Sequence, residues 1–341
     1  MAADWRSKLA CTGMNPSTRQ GNQVSPHSLI RPPALREGDC IGLAAPASPI
    51  KREPFFEGVE ILQSLGFRVH YTPRIFDAKR YLAGSDSDRA TELHDFFIHP
   101  DIKAIFCCRG GYGSQRLIPH LNPEIITAHP KIFLGYSDVT SLLLYFYSRC
   151  HLVTFHGPAV AGDLHRGTED DVLRQLKGVL SGDEVAMQAP AHHPTSLTVI
   201  RPGEAAGRLI GGCLSLFVCS IGTPFQPDLY DTILFLEDRN ERFYAIDRML
   251  TYLKLCGTFA GVRGVIFGHI EPMSADRDHP YGVVDVIADV LGDLNIPILY
   301  GFPAGHGPQP LTLPFGVEAV IRENRLVLSA SAVVPSSNEI E

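Results

Sequence analysis

Between Asp39 and Pro158 short apolar runs alternate with amphipathic ones without a break. "CIGLAAPAS" (40–48) reads as a buried strand ending in a small-residue loop. "PFFEGVEILQSLG" (54–66) reads as a helix whose closing Gly66 suits a C-terminal cap. "FRVHYTP" (67–73) is a strand, "SDRATELHDFFIHP" (87–100) a helix, and "IKAIFCCRGG" (102–111) a strand ending in a glycine turn. "PEIITAHP" (123–130), "KIFLGYSD" (131–138), "VTSLLLYFYSR" (139–149) and "LVTFHGP" (152–158) follow as helix, strand, helix and strand. This alternation predicts a parallel sheet covered on both faces. Such sheets collect their active groups at the carboxyl ends of the strands. Cys108–Gly111, Ser137 and His156–Pro158 all fall at such ends.

A length of 341 residues exceeds what one core usually fills, since single cores stop growing near about 250–300 residues. The pattern changes at 166–200, where a helix (168–182) leads into the Pro- and His-containing "QAPAHHPTSLTVIRPGEAAG". After it, strands at 232–238, 264–270 and 296–303 alternate with helices at 242–257 and 281–294, and 311–329 reads as a terminal β-hairpin. The expected layout is a tail over 1–35, an α/β domain over 36–165, a connection over 166–200, a second α/β domain over 201–330 and a short tail over 331–341. A cleft is expected between the domains.

Composition narrows the function. Thirty basic against 37 acidic side chains give a net charge of −7, which argues against a nucleic-acid backbone or an anionic membrane as the main partner. The eight cysteines form no CxxC pair and mostly lie in apolar segments. They read as buried thiols of a reducing compartment rather than as a disulfide framework or zinc cluster. No HExxH helix occurs, and no metal or cofactor is expected. The first thirty residues lack the apolar core of a secretory signal, and Met14 offers an alternative start. The longest uncharged stretch, 209–227, is broken by glycines, a proline and hydroxyls, so it reads as a core element rather than a membrane span. A cytoplasmic protein is expected.

Several residues stand out chemically. Ser137, in "GYSD", sits between a strand and a helix. There it could cap the helix or be presented as a nucleophile on a sharp turn. A serine nucleophile needs a base, and the base an orienting acid. Glu237 closes the apolar run "TILFLE", although Asp238 and Glu241 would serve equally well to open the next helix. His306 lies between two glycines after a strand, and His156 in "FHGP" competes with it as base. The paired glycines of "CRGGYGSQRL" (108–117) could point backbone N–H groups at an anion or oxyanion. Cys107 and Cys108 end an apolar strand and read as core.

"YLAGSDSDRATEL", "CRGGYGSQRLIPHL", "GYSDVTSLL", "FHGP", "GRLIGGCLSLF" with "GTP", "LFLEDRNERFYAIDRML" and "GHG" occur in a definite order. In that order the chain resembles the LD-carboxypeptidases, the serine peptidase family that also holds the microcin C immunity peptidases, from about Arg36 to Leu328. The resemblance implies a flavodoxin-like N-terminal domain and a C-terminal α/β domain of swivelling-barrel type, with the active site between them. It implies Ser137 as nucleophile, His306 as general base and Glu237 as its orienting acid, with His156 structural or cleft-lining. The backbone N–H of Asp138 and of Gly110 or Gly111 would form the oxyanion hole. Arg109, Tyr112, Arg239 and Arg242 are candidates for binding substrate, the arginines for anchoring its terminal carboxylate. The implied substrate is a muropeptide losing its terminal D-alanine, and a homodimer is expected. Cys213 stands where relatives often carry asparagine, and the N-terminal tail lies outside the shared pattern.

Overall fold

The computed structural model describes residues 29–166, 168–183, 186–187, 197–276 and 279–335. Most of the N-terminal tail, much of the connection and the last six residues therefore lie outside the described residues.

The first sheet draws on β1 (Cys40–Ala44), β2 (Arg68–His70), β3 (Ile102–Cys107), β4 (Ile132–Gly135) and β5 (Thr154–His156), all paired in parallel. Between them run α1 (Arg52–Ser64), α2 (Asp86–Ile98), α3 (Pro123–Ala128) and α4 (Thr140–Cys150), as the alternation predicts. Gly66, just past α1, has φ +93°, a conformation that carries little cost without a Cβ. Ser85 caps α2 by accepting a hydrogen bond from the Asp88 N–H at 3.1 Å, satisfying one of the donors a helix start leaves open.

After α5 (Asp170–Ser181) come β6 (Ala186–Met187), β7 (Thr198–Arg201), β8 (Ala205–Cys213), α6 (Leu214–Val218), β9 (Thr232–Glu241), α7 (Phe243–Leu255), β10 (Val262–Pro272), α8 (Val283–Leu291) and β11 (Ile298–Gly305). The chain ends through β12 (Leu313–Phe315), β13 (Glu318–Arg322) and β14 (Arg325–Leu328). The second sheet has the order β6-β14-β13-β8-β9-β10-β11-β7. Its centre, β8 to β11, is parallel and its flanks antiparallel, and the sheet curls into a half-barrel.

One strand departs from the sequence reading. The run 311–329 contains the expected hairpin, β13–β14, but β12 leaves it and pairs antiparallel with β5, Leu313 opposite His156. β12 is thus the outer strand of the first sheet, in the order β12-β5-β4-β3-β1-β2. Leu313 and Phe315 are buried there. A three-residue strand carries too little pattern to announce which sheet it joins.

Helix α4 holds the halves together. It packs on β4, β5, β8 and α6, and Thr140–Tyr147 are all buried. A helix covered on every side reads as apolar all round, as this one does. Phe133 on β4 meets Phe146 on α4 edge-on, with ring centroids 4.8 Å apart. Each such buried phenyl contributes about 1.5–3 kcal/mol through burial, so the turn leading into α4 rests on a rigid base. Among the described residues no helix is long and apolar enough to cross a membrane.

Candidate active site

The carboxyl ends of β3, β4 and β5 meet those of β9 and β11, and the three residues singled out as nucleophile, base and acid come together there. His306 Nε2 lies 3.1 Å from Ser137 Oγ, and His306 Nδ1 lies 2.6 Å from Glu237 Oε2. The same carboxylate oxygen accepts the His306 backbone N–H at 3.1 Å. Ser137 comes from the turn between β4 and α4, Glu237 from within β9, and His306 from the loop after β11.

Ser137 does not cap a helix. It has φ +61°, its side chain caps neither the short 3-10 turn nor α4, and its hydroxyl faces the imidazole. A non-glycine residue in the left-handed region costs of order 1–3 kcal/mol and persists only where its surroundings hold it. Here the surroundings include Gly110, where a Cβ would meet Ser137 Cβ and Oγ at 2.7 and 2.9 Å. Only a glycine lets the loop after β3 approach the serine so closely.

That loop is tied to the serine turn by Asp138 and Ser114. The Ser114 N–H donates to Asp138 Oδ2 at 2.7 Å, and the Ser114 hydroxyl donates to the Asp138 carbonyl at 2.5 Å. Asp138 is buried, and burial raises its pKa against the hydrogen bonds that lower it. Ser48, from the loop after β1, accepts the Tyr112 N–H at 3.0 Å and occupies the space a Cβ on Gly111 would need. A Cβ on Gly110 would also lie 3.2 Å from the Asp138 backbone nitrogen, so the glycine loop and the serine turn bring their backbones together beside the hydroxyl. Ser114 and Ser48 escaped the sequence reading, because a lone hydroxyl in a small-residue loop has no spacing to distinguish it.

Glu237 is fully buried. The strand does not end on it, as its place in the apolar run implied, but continues to Glu241. Asp238, the alternative carboxylate, instead accepts the N–H of Ser215 at 2.8 Å and of Arg239 at 2.8 Å. Burial alone would raise the Glu237 carboxyl, but the charge of His306 and the imidazoles of His156 and His306 overcome it and bring it to about 2. Burial alone would lower His306. The charge and hydrogen bond of Glu237, with Asp238 and Asp163 adding, turn the net displacement upward from the ordinary 6.5. The Tyr136 ring lies 4.9 Å from the His306 ring, and the Tyr136 hydroxyl meets Asp163 Oδ1 at 3.0 Å. His156, the competing base, does not reach the serine; its Nε2 lies 3.5 Å from Glu237 Oε1.

The candidate binding residues are more scattered. Arg239 pairs with Glu271 at 2.9 Å and Arg242 with Asp276 at 2.9 Å, so each already faces a carboxylate. Arg109 is exposed, donates to the Pro49 carbonyl at 3.0 Å, and faces no carboxylate among the described residues. Tyr112 is exposed, its ring edge-on to Tyr81 at 5.6 Å. Cys213 is buried, with its sulfur 3.3 Å from Ser215 Oγ and 3.5 Å from Asp238 Oδ1. Cys107 and Cys108 are buried, and burial pushes both thiols far up, leaving no thiolate at neutral pH.

A two-sheet α/β protein with a hydroxyl, an imidazole and a buried carboxylate in line across its halves has the build of a hydrolase. Comparison with known proteins narrows this. Residues 41–157 match the LD-carboxypeptidase N-terminal domain and 206–321 the LD-carboxypeptidase C-terminal domain. The probable murein peptide carboxypeptidase of Bacillus subtilis (strain 168) is 34% identical over 297 residues, covering 85% of this chain and 91% of the relative. The microcin C7 self-immunity protein MccF of Escherichia coli is 31% identical over 328 residues, covering 87% of this chain and 94% of that one. A solved structure of MccF in complex with aspartyl sulfamoyl adenosine superimposes with a TM-score of 0.83 at 27% identity, covering 89% of this chain and 100% of that one. The muramoyltetrapeptide carboxypeptidase from Oxalobacter formigenes does so with a TM-score of 0.71 at 26% identity, covering 85% and 97%. The chain belongs to the LD-carboxypeptidase family of peptidases.

Proposed function

We propose that this chain is a serine-type LD-carboxypeptidase of the cytoplasm, working as a homodimer in peptidoglycan recycling. It hydrolyses the amide joining the L-centre of diaminopimelate or lysine to the terminal D-alanine of a murein tetrapeptide. The observation that supports it is the unbroken line from Ser137 Oγ through His306 to Glu237, at 3.1 and 2.6 Å, in a chain related to murein peptide carboxypeptidases.

Ser137 Oγ attacks the scissile carbonyl while His306 Nε2 takes its proton. Glu237 holds the proton on Nδ1 and stabilises the imidazolium that forms. The backbone N–H groups of Gly110 or Gly111 and of Asp138 receive the oxyanion. His306 returns the proton to the leaving D-alanine amine, and water then clears the acyl-enzyme with the same base. Arg109 is the first candidate for the terminal carboxylate, since the other two arginines are already paired with acids.

A second reading, an MccF-type peptidase cleaving an aminoacyl-nucleotide, draws on the higher TM-score, 0.83 against 0.71. Against it, residues 160–206 contain no Trp, Tyr or Phe to stack on a nucleobase. Mass-spectrometric release of D-alanine from a murein tetrapeptide, wild type beside Ser137→Ala, separates the two. Release from the tetrapeptide but not from a pentapeptide ending in D-Ala–D-Ala, lost in the variant, is expected. Cleavage of an aminoacyl-sulfamoyl nucleotide in its place would establish the second reading.

A further inference from the structure

Glu237 has two oxygens, and only one of them serves His306. Oε2 accepts both the ring Nδ1 and the backbone N–H of His306. Oε1 is buried and has no hydrogen-bond partner, and the same holds for both ring nitrogens of His156. Oε1 and His156 Nε2 face each other at 3.5 Å, both side chains fully excluded from solvent. The His156 ring is walled by Phe235, Phe315 and Tyr136, with centroids at 5.2, 5.6 and 5.8 Å. None of these walls offers Nε2 a carboxylate or carbonyl in place of Oε1. Leaving a buried carboxylate oxygen without a donor is strongly unfavourable.

We infer that His156 is a positioning residue of the same active site: it carries its proton on Nε2, points it at Glu237 Oε1, and so fixes the carboxylate with Oε2 aimed at His306. His156 acts through Glu237 and touches neither substrate nor serine. This rests on the reading of Ser137, His306 and Glu237 given above, and it adds a fourth member to their line. The strand pairing locks the histidine in place, since His156 stands opposite Gly135 on β4 and Leu313 on β12.

A donor on Oε1 stabilises the unprotonated state of the Glu237–His306 pair, so removing it makes the pair hold its proton more tightly. The other ionisable groups that act on His306 are Asp238 and Asp163, and His269 senses the same two partners from β10. None of them changes in the test.

The test uses histidine-labelled full-length protein, followed by NMR, with no substrate present. In the wild type, nitrogen shifts are expected to show His156 carrying a proton on Nε2; a ring with its proton on Nδ1 alone would overturn the inference without any variant. In His156→Phe, which keeps an aromatic ring in the box but removes the donor, the His306 titration moves to higher pH. In His156→Gln, whose amide can donate to Oε1, it returns toward wild type. An unmoved His306 titration in folded His156→Phe sinks the inference. Because these readouts need no turnover, they stand apart from the D-alanine assay. If that assay succeeds as proposed, His156→Phe lowers kcat about 10–100-fold, the loss seen when the partner orienting a metal-bound histidine is removed, with KM little changed and the acid limb of the rate profile displaced upward.

Discussion

Gly305 leaves no room for a side chain beside Glu237: a Cβ on it would overlap the carboxylate carbon and Oε2 of the glutamate. Its backbone also sits at φ +90°, where an alanine is strained. Gly305→Ala should therefore displace the carboxylate that holds His306. The expected outcome is a fall in kcat of at least about 10²-fold, with a lower melting temperature, read by steady-state kinetics and thermal unfolding.

The charge of Glu237 governs the pH response. With the His306 pKa displaced upward from 6.5, the acid limb of kcat/KM should lie above that value, because the base must be neutral. Glu237→Gln removes the charge that raises His306 and leaves the burial that lowers it. The limb then moves to lower pH, and the rate falls by up to about 10⁴-fold, as when a triad acid is neutralised. A limb that stays in place would contradict the assignment.

Stability follows the same pair with opposite signs. The His306 pKa is raised on folding, so its contribution is full below pH 6.5 and is lost as pH rises through the folded value. The Glu237 pKa is lowered from 4.5 to about 2, so its contribution is full above pH 4.5 and is lost as pH falls toward 2. The melting-temperature difference between wild type and Glu237→Gln should be greatest between pH 4.5 and 6.5, and a pH series of thermal melts checks it.

Ser114 braces the loop that faces Ser137. Ser114→Ala removes the hydroxyl that donates to the Asp138 carbonyl, a buried hydrogen bond whose loss costs about 0.5–1.5 kcal/mol. Denaturant unfolding should show that loss. A fall in kcat larger than any change in KM is also expected, because the Gly110–Gly111 donors are set by the same loop.

The cysteines of the first sheet should be silent. Cys107 and Cys108 are buried with thiols pushed far up, so iodoacetamide applied to the folded enzyme should label the exposed Cys219 and Cys256 first and leave the activity intact. Activity lost in step with modification of Cys107 or Cys108 would point instead to a cysteine nucleophile.

The order of strands and helices was legible because each buried segment carries its own periodicity, from the run at 40–48 to the helix at 281–294. Ser137, Glu237 and His306 were legible as polar residues that close or follow apolar runs. Their grouping was not, since it joins residues 69 and 169 positions apart, and only the order of motifs selected His306 over His156. Three things had no local signal. The left-handed backbone of Ser137 is imposed by Gly110 and α4 packed against it. The acidic partners of Arg239 and Arg242 come from β10 and the turn after it. The sheet that Leu313–Phe315 joins is decided by an edge left open on β5.

That last strand bears on how the protein comes off the ribosome. Domains fold as they emerge, N-terminal first, yet the sheet carrying Ser137 lacks its outer strand until residue 315 has been made, and Ser137 lacks its imidazole until residue 306. A chain cut short anywhere before that point carries the serine without the base. Peptide-bond hydrolysis, on the proposed mechanism, is therefore withheld during synthesis and begins only once His306 has been made and Leu313–Phe315 has returned to the edge of the first sheet.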